Sequence, residues 1–306
     1  MRSILDQTPA GARVAVILLR SIGDCVLSTP ALAILKRARP DLKVAVVVEE
    51  QYAALFDGNP DVHRILPPAA RELRDFRPSL CLNLHGGPAS MALTLLSGSQ
   101  RRAGFDHLRP AMVYNVRIPP AQQVLGISRK VHAAEEMAAA VFFLGAPKCE
   151  VPRARLFAHP PDGRGNCVVF HPFAGPNRRS WPAGNFLQVA RSVSDEMGLI
   201  PVFIAGSDED LAPFREFHPV AGIPLSALLS LISGSQMFVG MDGGLCQIAA
   251  AFGVPVVAFF GNLDPAVWAP WRTATEILPA GRSMESISPQ QVLSAISRLR
   301  GVSCEN

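Results

Sequence analysis

The run MFVGMDGGLCQIAAAFGVPVVAFFG, residues 237–261, decides the fold. It opens on a short apolar segment, 237–239, and turns through Gly240-Met241-Asp242-Gly243-Gly244. Leu245, Ile248, Ala249 and Phe252 then recur at i, i+3, i+4 and i+7, which is one face of a helix. Gly253 stops that helix, and a second continuous apolar run follows at 255–260. A segment apolar on both faces suits a buried parallel strand. The unit is therefore strand, glycine turn, short helix, strand. Two glycines before a helix leave its first N–H groups open to an anion. The plainer alternative is that Asp242 only caps the helix and the glycines only make the turn.

Working outward, the same alternation fills the chain. Residues 13–19 form an apolar β-run that ends in the polar loop Arg20-Ser21-Ile22-Gly23-Asp24. A helix follows, either capped by Thr29 with Pro30 in its first turn or starting at Asp24 and tolerating the proline. Residues 42–48 are the next strand, with Glu49 and Glu50 at its carboxyl end. Further strands are expected at 65–66, at 80–84 (leading into His85-Gly86-Gly87), at 101–105 and at 112–118. A helix is expected at 132–144. Residues 146–166 hold four prolines and little periodicity, and read as a linker. Beyond it come a strand at 167–170, a loop at 171–182, a helix to about 197 and a strand at 200–205. Another helix is expected to open at 206–210, with further helices at 225–232 and 290–299; 262–271 reads as a loop. Each half alternates strand and helix. The expected architecture is α/β, two doubly wound domains, 1–158 and 159–306, with a cleft between them and ligands at the carboxyl ends of strands.

Composition narrows the class. The 306 residues suffice for two such domains, and nearly half are hydrophobic. No apolar span of membrane length and no signal-type N-terminus is seen, so a cytoplasmic protein is expected. Six cysteines lie scattered without metal-ligand spacing and read as reduced thiols. Residues 1–158 carry 20 Lys+Arg against 13 Asp+Glu, and residues 159–306 carry 9 against 12. An anionic partner for the first half follows from that asymmetry. The basic runs Arg101-Arg102 and Arg129-Lys130 are short and lack interleaved aromatics, which argues against nucleic acid.

Three segments carry a family resemblance: ILLRSIGDCVLSTPALAILK (17–36), HPFAGPNRRSWP (171–182) and FVGMDGGLCQIAAAFGVPVVAFFGNLDPAVWAPW (238–271). VVVEEQYAALFDGNPDVHRILP, RRAGFD and KVHAAEEMAAAVFFLGA add weaker landmarks in the same order. Together they resemble glycosyltransferase family nine, the ADP-heptose:lipopolysaccharide heptosyltransferases. The resemblance implies a GT-B fold with the acceptor on the first domain and the nucleotide sugar on the second. It implies inverting, metal-independent transfer from ADP-heptose to an anionic lipopolysaccharide-type acceptor, with no cofactor and with peripheral contact at the inner face of the inner membrane.

Onto this chain the resemblance carries Asp24 as general base and Arg179 as the guanidinium that holds the departing diphosphate. Ser21, Gly23, Glu49, His85, Arg101 and Arg102 are the expected acceptor side, with Arg129 and Lys130 as further surface contacts. Arg179, Glu209, Met241, Asp242, Gly243, Gly244, Leu245 and Gln247 are the expected donor side. Gln247 stands where the family usually has His, Cys246 replaces a frequent Ser or Met, and Asn262-Leu263 replaces Pro-Thr. Asp208-Glu209-Asp210 spells a metal–nucleotide DxD, yet acidic residues also suit the start of a helix after a strand. His85 is either a second candidate base, an acceptor contact or a structural turn residue. Two other readings stay open: a related transferase with another donor or acceptor, and a non-catalytic nucleotide-sugar binder or GT-B epimerase.

Overall fold

The computed structural model describes residues 2–158, 165–174, 180–281 and 283–303. The chain divides into two compact units, Met1–Phe157 and Ala158–Asn306.

In the first unit the elements run β1 (Arg13–Leu18), α1 (Ile22–Ala38), β2 (Lys43–Val48), β3 (Arg64–Leu66), α2 (Ala70–Phe76), β4 (Leu80–Asn83), α3 (Pro88–Leu96), β5 (Arg101–Phe105), β6 (Val116–Ile118), α4 (Ala121–Leu125) and α5 (Ala133–Leu144). The strands line up as β3-β2-β1-β4-β5-β6, with parallel pairing throughout. β1 and β2 each bury every residue but the first, as continuous Val/Ile/Leu/Ala runs do in a sheet covered on both faces.

The second unit repeats the pattern with β7 (Cys167–His171), α6 (Ala183–Asp195), β8 (Ile200–Ala205), β9 (Val220–Ala221), α7 (Leu225–Ser233), β10 (Met237–Met241), α8 (Gly244–Ala251), β11 (Val256–Phe260), α9 (Pro265–Trp268), β12 (Thr275–Pro279) and α10 (Pro289–Ser303). Its order is β12-β11-β10-β7-β8-β9. In each sheet the first strand of the unit lies beside the fourth, β1 beside β4 and β7 beside β10. The winding reverses there, so a crevice opens at the carboxyl ends of those strands. β10 approaches β7 so closely that a Cβ on Gly240 would lie 2.9 Å from the His171 carbonyl oxygen, and only glycine fits. The second core is aromatic: Trp181 stacks on Phe259 with ring centroids 4.8 Å apart, and Phe203 on Phe214 at 4.2 Å.

For α1 the alternative that tolerates the proline holds, with the start two residues earlier, and two other local expectations are corrected. α1 starts from Ser21 and runs through Pro30. The proline cannot donate to the Val26 carbonyl, and the Thr29 hydroxyl does so instead at 2.8 Å, so Thr29 repairs the helix rather than capping it. The expected strand at 112–118 is a 3₁₀ turn, Ala111–Val113, followed by the short β6. No helix opens at 206–210. There the Glu209 carboxylate accepts from Gly206 N at 2.8 Å and Asp210 from Ala212 N at 2.8 Å, and these turn bonds give way to a 3₁₀ segment, Ala212–Phe217.

Candidate active site

The first cluster sits at the carboxyl ends of β2, β1 and β4. Ser21 caps α1, and its hydroxyl accepts from the Asp24 N–H at 3.2 Å. The same hydroxyl donates to Asp24 Oδ2 at 2.7 Å. Asp24 is therefore held in the first turn of α1, half-buried, by a neighbour that occupies one of its two oxygens. Gly23 lies between them. Glu49 follows directly on β2, whose Val48 pairs with Leu18 of β1, so its carboxylate is carried by the adjoining strand end.

His85 occupies the matching place after β4. Asn83, fully buried, builds its turn: Asn83 Oδ1 accepts from His85 N at 3.0 Å and Gly86 N at 3.2 Å. The Asn83 amide donates to Ser90 Oγ at 3.1 Å and to the Tyr114 hydroxyl at 3.0 Å. Tyr114 in turn packs onto Gly104, where a Cβ could not fit. The imidazole pKa lies below the ordinary histidine value, first because burial penalises the charged form, then because the Arg20 guanidinium opposes it; the Asp24 carboxylate pulls the other way. Arg20, Asp24 and His85 thus share one electrostatic neighbourhood. His85 Nδ1 is buried without a hydrogen-bond partner among the described residues. Arg20 and Asn83 are functional candidates that reading by motif passed over. The signal available for Arg20 was its place just beyond β1, the same rule that selects Asp24.

The second cluster lies at the carboxyl ends of β7, β8 and β10. Asp242 follows β10 with its backbone N–H on Phe259 O at 3.0 Å and only 4% of its surface exposed. Gly243 precedes α8 with φ 163°, extended backbone open to any residue, and a Cβ there would touch nothing within 4 Å. Neither conformation nor packing of the fold demands this glycine, which leaves room for a ligand against the first N–H groups of α8. Met241 is buried, and Leu245 lies in the first turn of α8. Glu209 Oε2 is 3.8 Å from His171 Nε2. Its pKa is lowered first by the neighbouring His171 and also by the hydrogen bond from Gly206 N, against the opposing effect of burial. His171 is a further candidate, at the end of β7, that the sequence reading left in a loop. Asp208 Oδ1 instead accepts from Ser207 Oγ at 3.1 Å. Among the described residues no three His, Cys, Asp or Glu side chains are grouped to hold a metal.

Arg179 lies outside the described residues. Its flanks are fixed: Ser180 Oγ accepts from Ala174 N at 2.9 Å, and the buried Trp181 donates from Nε1 to Ile287 O at 2.9 Å.

Several of the expected site residues also hold other parts of the chain. The Gln247 amide donates to Trp268 O at 2.9 Å and Ala269 O at 3.2 Å, and its oxygen accepts from Trp271 N at 3.3 Å. A buried amide with its donors and oxygen so engaged bolts the 268–271 loop to α8. Arg101 donates to Ile4 O, Thr8 Oγ1 and Gln7 Oε1, and Arg102 to Val113 O and Ser99 O. Arg129 is paired with Glu135 at 2.6 Å. These arginines brace the fold through those bonds.

Comparison with known proteins closes the identification. Residues 69–294, well over half of the chain, match the profile of glycosyltransferase family 9 (heptosyltransferase). The chain belongs to glycosyltransferase family 9. Lipopolysaccharide heptosyltransferase 3 of Escherichia coli (strain K12) is 23% identical over 301 residues, covering 83% of each chain. The solved E. coli ADP-heptose LPS heptosyltransferase II has TM-score 0.79 at 20% identity, covering 94% of this chain and 98% of that one. E. coli heptosyltransferase WaaC with ADP has TM-score 0.78 at 20% identity, covering 94% and 99%. The fold class is GT-B, with two Rossmann-like units, and this family member is a glycosyltransferase. No helix among the described residues is long and apolar enough to cross a membrane.

Proposed function

We propose that this glycosyltransferase moves a heptose from ADP-heptose onto an anionic lipopolysaccharide inner-core acceptor, with inversion. The observation that carries the reading is Asp24, clamped by Ser21 at the carboxyl end of β1 beside Arg20 and His85. The names of the relatives, and the ADP in one solved structure, support the substrate classes.

In this reading the acceptor binds the first unit. Asp24 takes the proton of the acceptor hydroxyl, whose oxygen attacks the anomeric carbon as the bond to the diphosphate breaks. A single displacement of this kind inverts the configuration. Ser21, Gly23, Glu49 and His85 shape the acceptor side. The second unit takes the donor, its diphosphate at the first turn of α8 over Gly243 and Gly244, where N–H groups and the helix dipole favour an anion. Asp242, an acceptor of hydrogen bonds, suits sugar hydroxyls rather than phosphate. Glu209 and His171 belong to the same strand-end set. Arg179 supplies the guanidinium for the leaving diphosphate. No metal takes part. The enzyme works in the cytoplasm, at the inner face of the inner membrane.

Asp24→Asn is expected to cut transfer by about 10²–10⁴-fold while ADP binding and thermal stability stay unchanged. Transfer by the unaltered chain is expected to survive EDTA. The assay uses ADP-heptose and a truncated core acceptor with mass-spectrometric detection. Near-normal turnover by the variant removes Asp24 from the mechanism, and loss on chelation restored by Mg²⁺ or Mn²⁺ brings a metal back into it. A thermal-shift series with ADP, GDP, UDP and dTDP ranks the nucleotide. A larger shift with any of the other three overturns ADP-heptose as donor.

A further inference from the structure

α3 buries Met91 and Leu93 beside two hydroxyl side chains, and every residue that it exposes is apolar. Its buried side chains include Ser90 and Thr94, both at 0% exposure, and its exposed ones are Pro88, Ala89, Ala92, Leu95 and Leu96, every one apolar. The buried hydroxyls are satisfied within the unit: Ser90 accepts from Asn83 and donates to Gly87 O, and Thr94 donates to Ser90 O at 2.7 Å. The helix carries no charged residue. Leu95 and Leu96 are 53% and 48% exposed, and Met112 is 81% exposed. Met112 sits in the Ala111–Val113 turn, whose Val113 packs with Tyr114 and Met91 of α3. Leu95 lies one turn beyond Met91 on the same side of the helix. Three of the five large exposed hydrophobic side chains among the described residues are therefore gathered on one surface. A soluble fold does not normally leave a charge-free apolar helix face to water.

The rim is basic. Residues 86–118 hold four arginines and a single acidic residue, Asp106. Arg101 and Arg102 are tied to the chain's own backbone. Arg109 and Arg117 are exposed and make no hydrogen bond or ion pair among the described residues.

We propose that this surface docks the protein on an anionic lipid bilayer. Leu95, Leu96 and Met112 enter the headgroup boundary, and Arg109 and Arg117 meet lipid phosphates. The inference rests on the acceptor reading above, since α3 starts at Gly87, two residues after His85, and a lipid-anchored acceptor would be presented from that bilayer. Charge argues against a second copy of the chain as the occupant, because a two-fold contact of this surface with itself would bring like-charged arginines together.

The test is co-sedimentation with vesicles of phosphatidylethanolamine and phosphatidylglycerol, against vesicles of phosphatidylcholine alone. The full chain is expected to bind the anionic vesicles. Leu95→Ser/Leu96→Ser/Met112→Ser is expected to lose binding by about tenfold or more. Arg109→Ser and Arg117→Ser are each expected to lose about fivefold. All these positions are exposed, so thermal stability is expected to be unchanged and is measured alongside. Transfer onto a water-soluble deacylated core acceptor is expected to persist in every variant. Its absence in the unaltered chain would defeat the acceptor reading, while vesicle binding is read independently of it. Equal vesicle binding by the triple variant, no binding by the unaltered chain, or a dimer in sedimentation velocity that the triple variant abolishes would each overturn the proposal.

Discussion

Gln247 shows how a side chain at a family position can change jobs without emptying the site around it. Its amide holds two carbonyls and one N–H of the 268–271 loop. Gln247→Ala removes three hydrogen bonds to part-buried backbone groups, each worth about 0.5–1.5 kcal/mol, and a lower melting temperature is expected in differential scanning fluorimetry. Gln247→His is expected to fall between, because a neutral imidazole offers one donor and one acceptor. An unchanged melting temperature with weakened ADP binding would instead make Gln247 a donor contact. At this scale the sequence reveals residue type and position along the chain. Asp24, Asp242 and Gly243 could be placed at strand ends and helix starts because those are local features. The partners of Gln247 lie 21 to 24 residues away, and Arg101 reaches Ile4 across 97. Only the folded chain reveals that these side chains are already occupied, so Arg101 and Arg102 read in the sequence as surface charge.

At the scale of elements, the turn after β4 is the best test of how the scaffold tunes chemistry. Asn83 fixes the backbone of 85–86, and burial together with Arg20 holds the His85 pKa below its ordinary value of 6.5. The folded protein therefore resists the proton more than the unfolded chain does. Stability from this group is present above about pH 6.5 and is lost as pH falls from there toward the lowered folded value. His85→Gln is expected to flatten that part of the stability–pH curve, and Arg20→Ala is expected to raise the His85 titration midpoint in an NMR pH series. An unmoved midpoint would detach Arg20 from the imidazole. The long β-runs and the glycine turns of the fold were legible because a buried parallel strand needs an unbroken apolar stretch. α2 and α4 were not, being too short to show a period. The acidic run at 208–210 resembled a helix start because the same residue types also close tight turns.

Over the whole molecule, charge is divided as the fold is divided. Met1–Phe157 carries 20 Lys+Arg and 13 Asp+Glu, while the second unit carries 9 and 12. With Arg101, Arg102 and Arg129 engaged internally, the first unit still offers Arg20 at its strand-end cluster, exposed and without an ion pair among the described residues. An anionic acceptor approaching this unit is attracted over the screening distance, about 8–10 Å at ordinary salt. In the proposed reading a diphosphate at the first turn of α8 is instead to be held by short N–H contacts in a unit of slightly negative balance, where long-range attraction contributes less. Raising NaCl from 50 to 500 mM is therefore expected to raise the KM for the acceptor several-fold more than the KM for the donor. A deacylated acceptor keeps membrane association out of the measurement. Arg101→Glu with Arg102→Glu is expected to lower thermal stability, since both side chains brace backbone carbonyls, and Arg20→Ala is expected to raise the acceptor KM. Equal salt sensitivity for both substrates would mean that the basic balance of the first unit only solvates it, and the acceptor would then have to be recognised by close contacts alone.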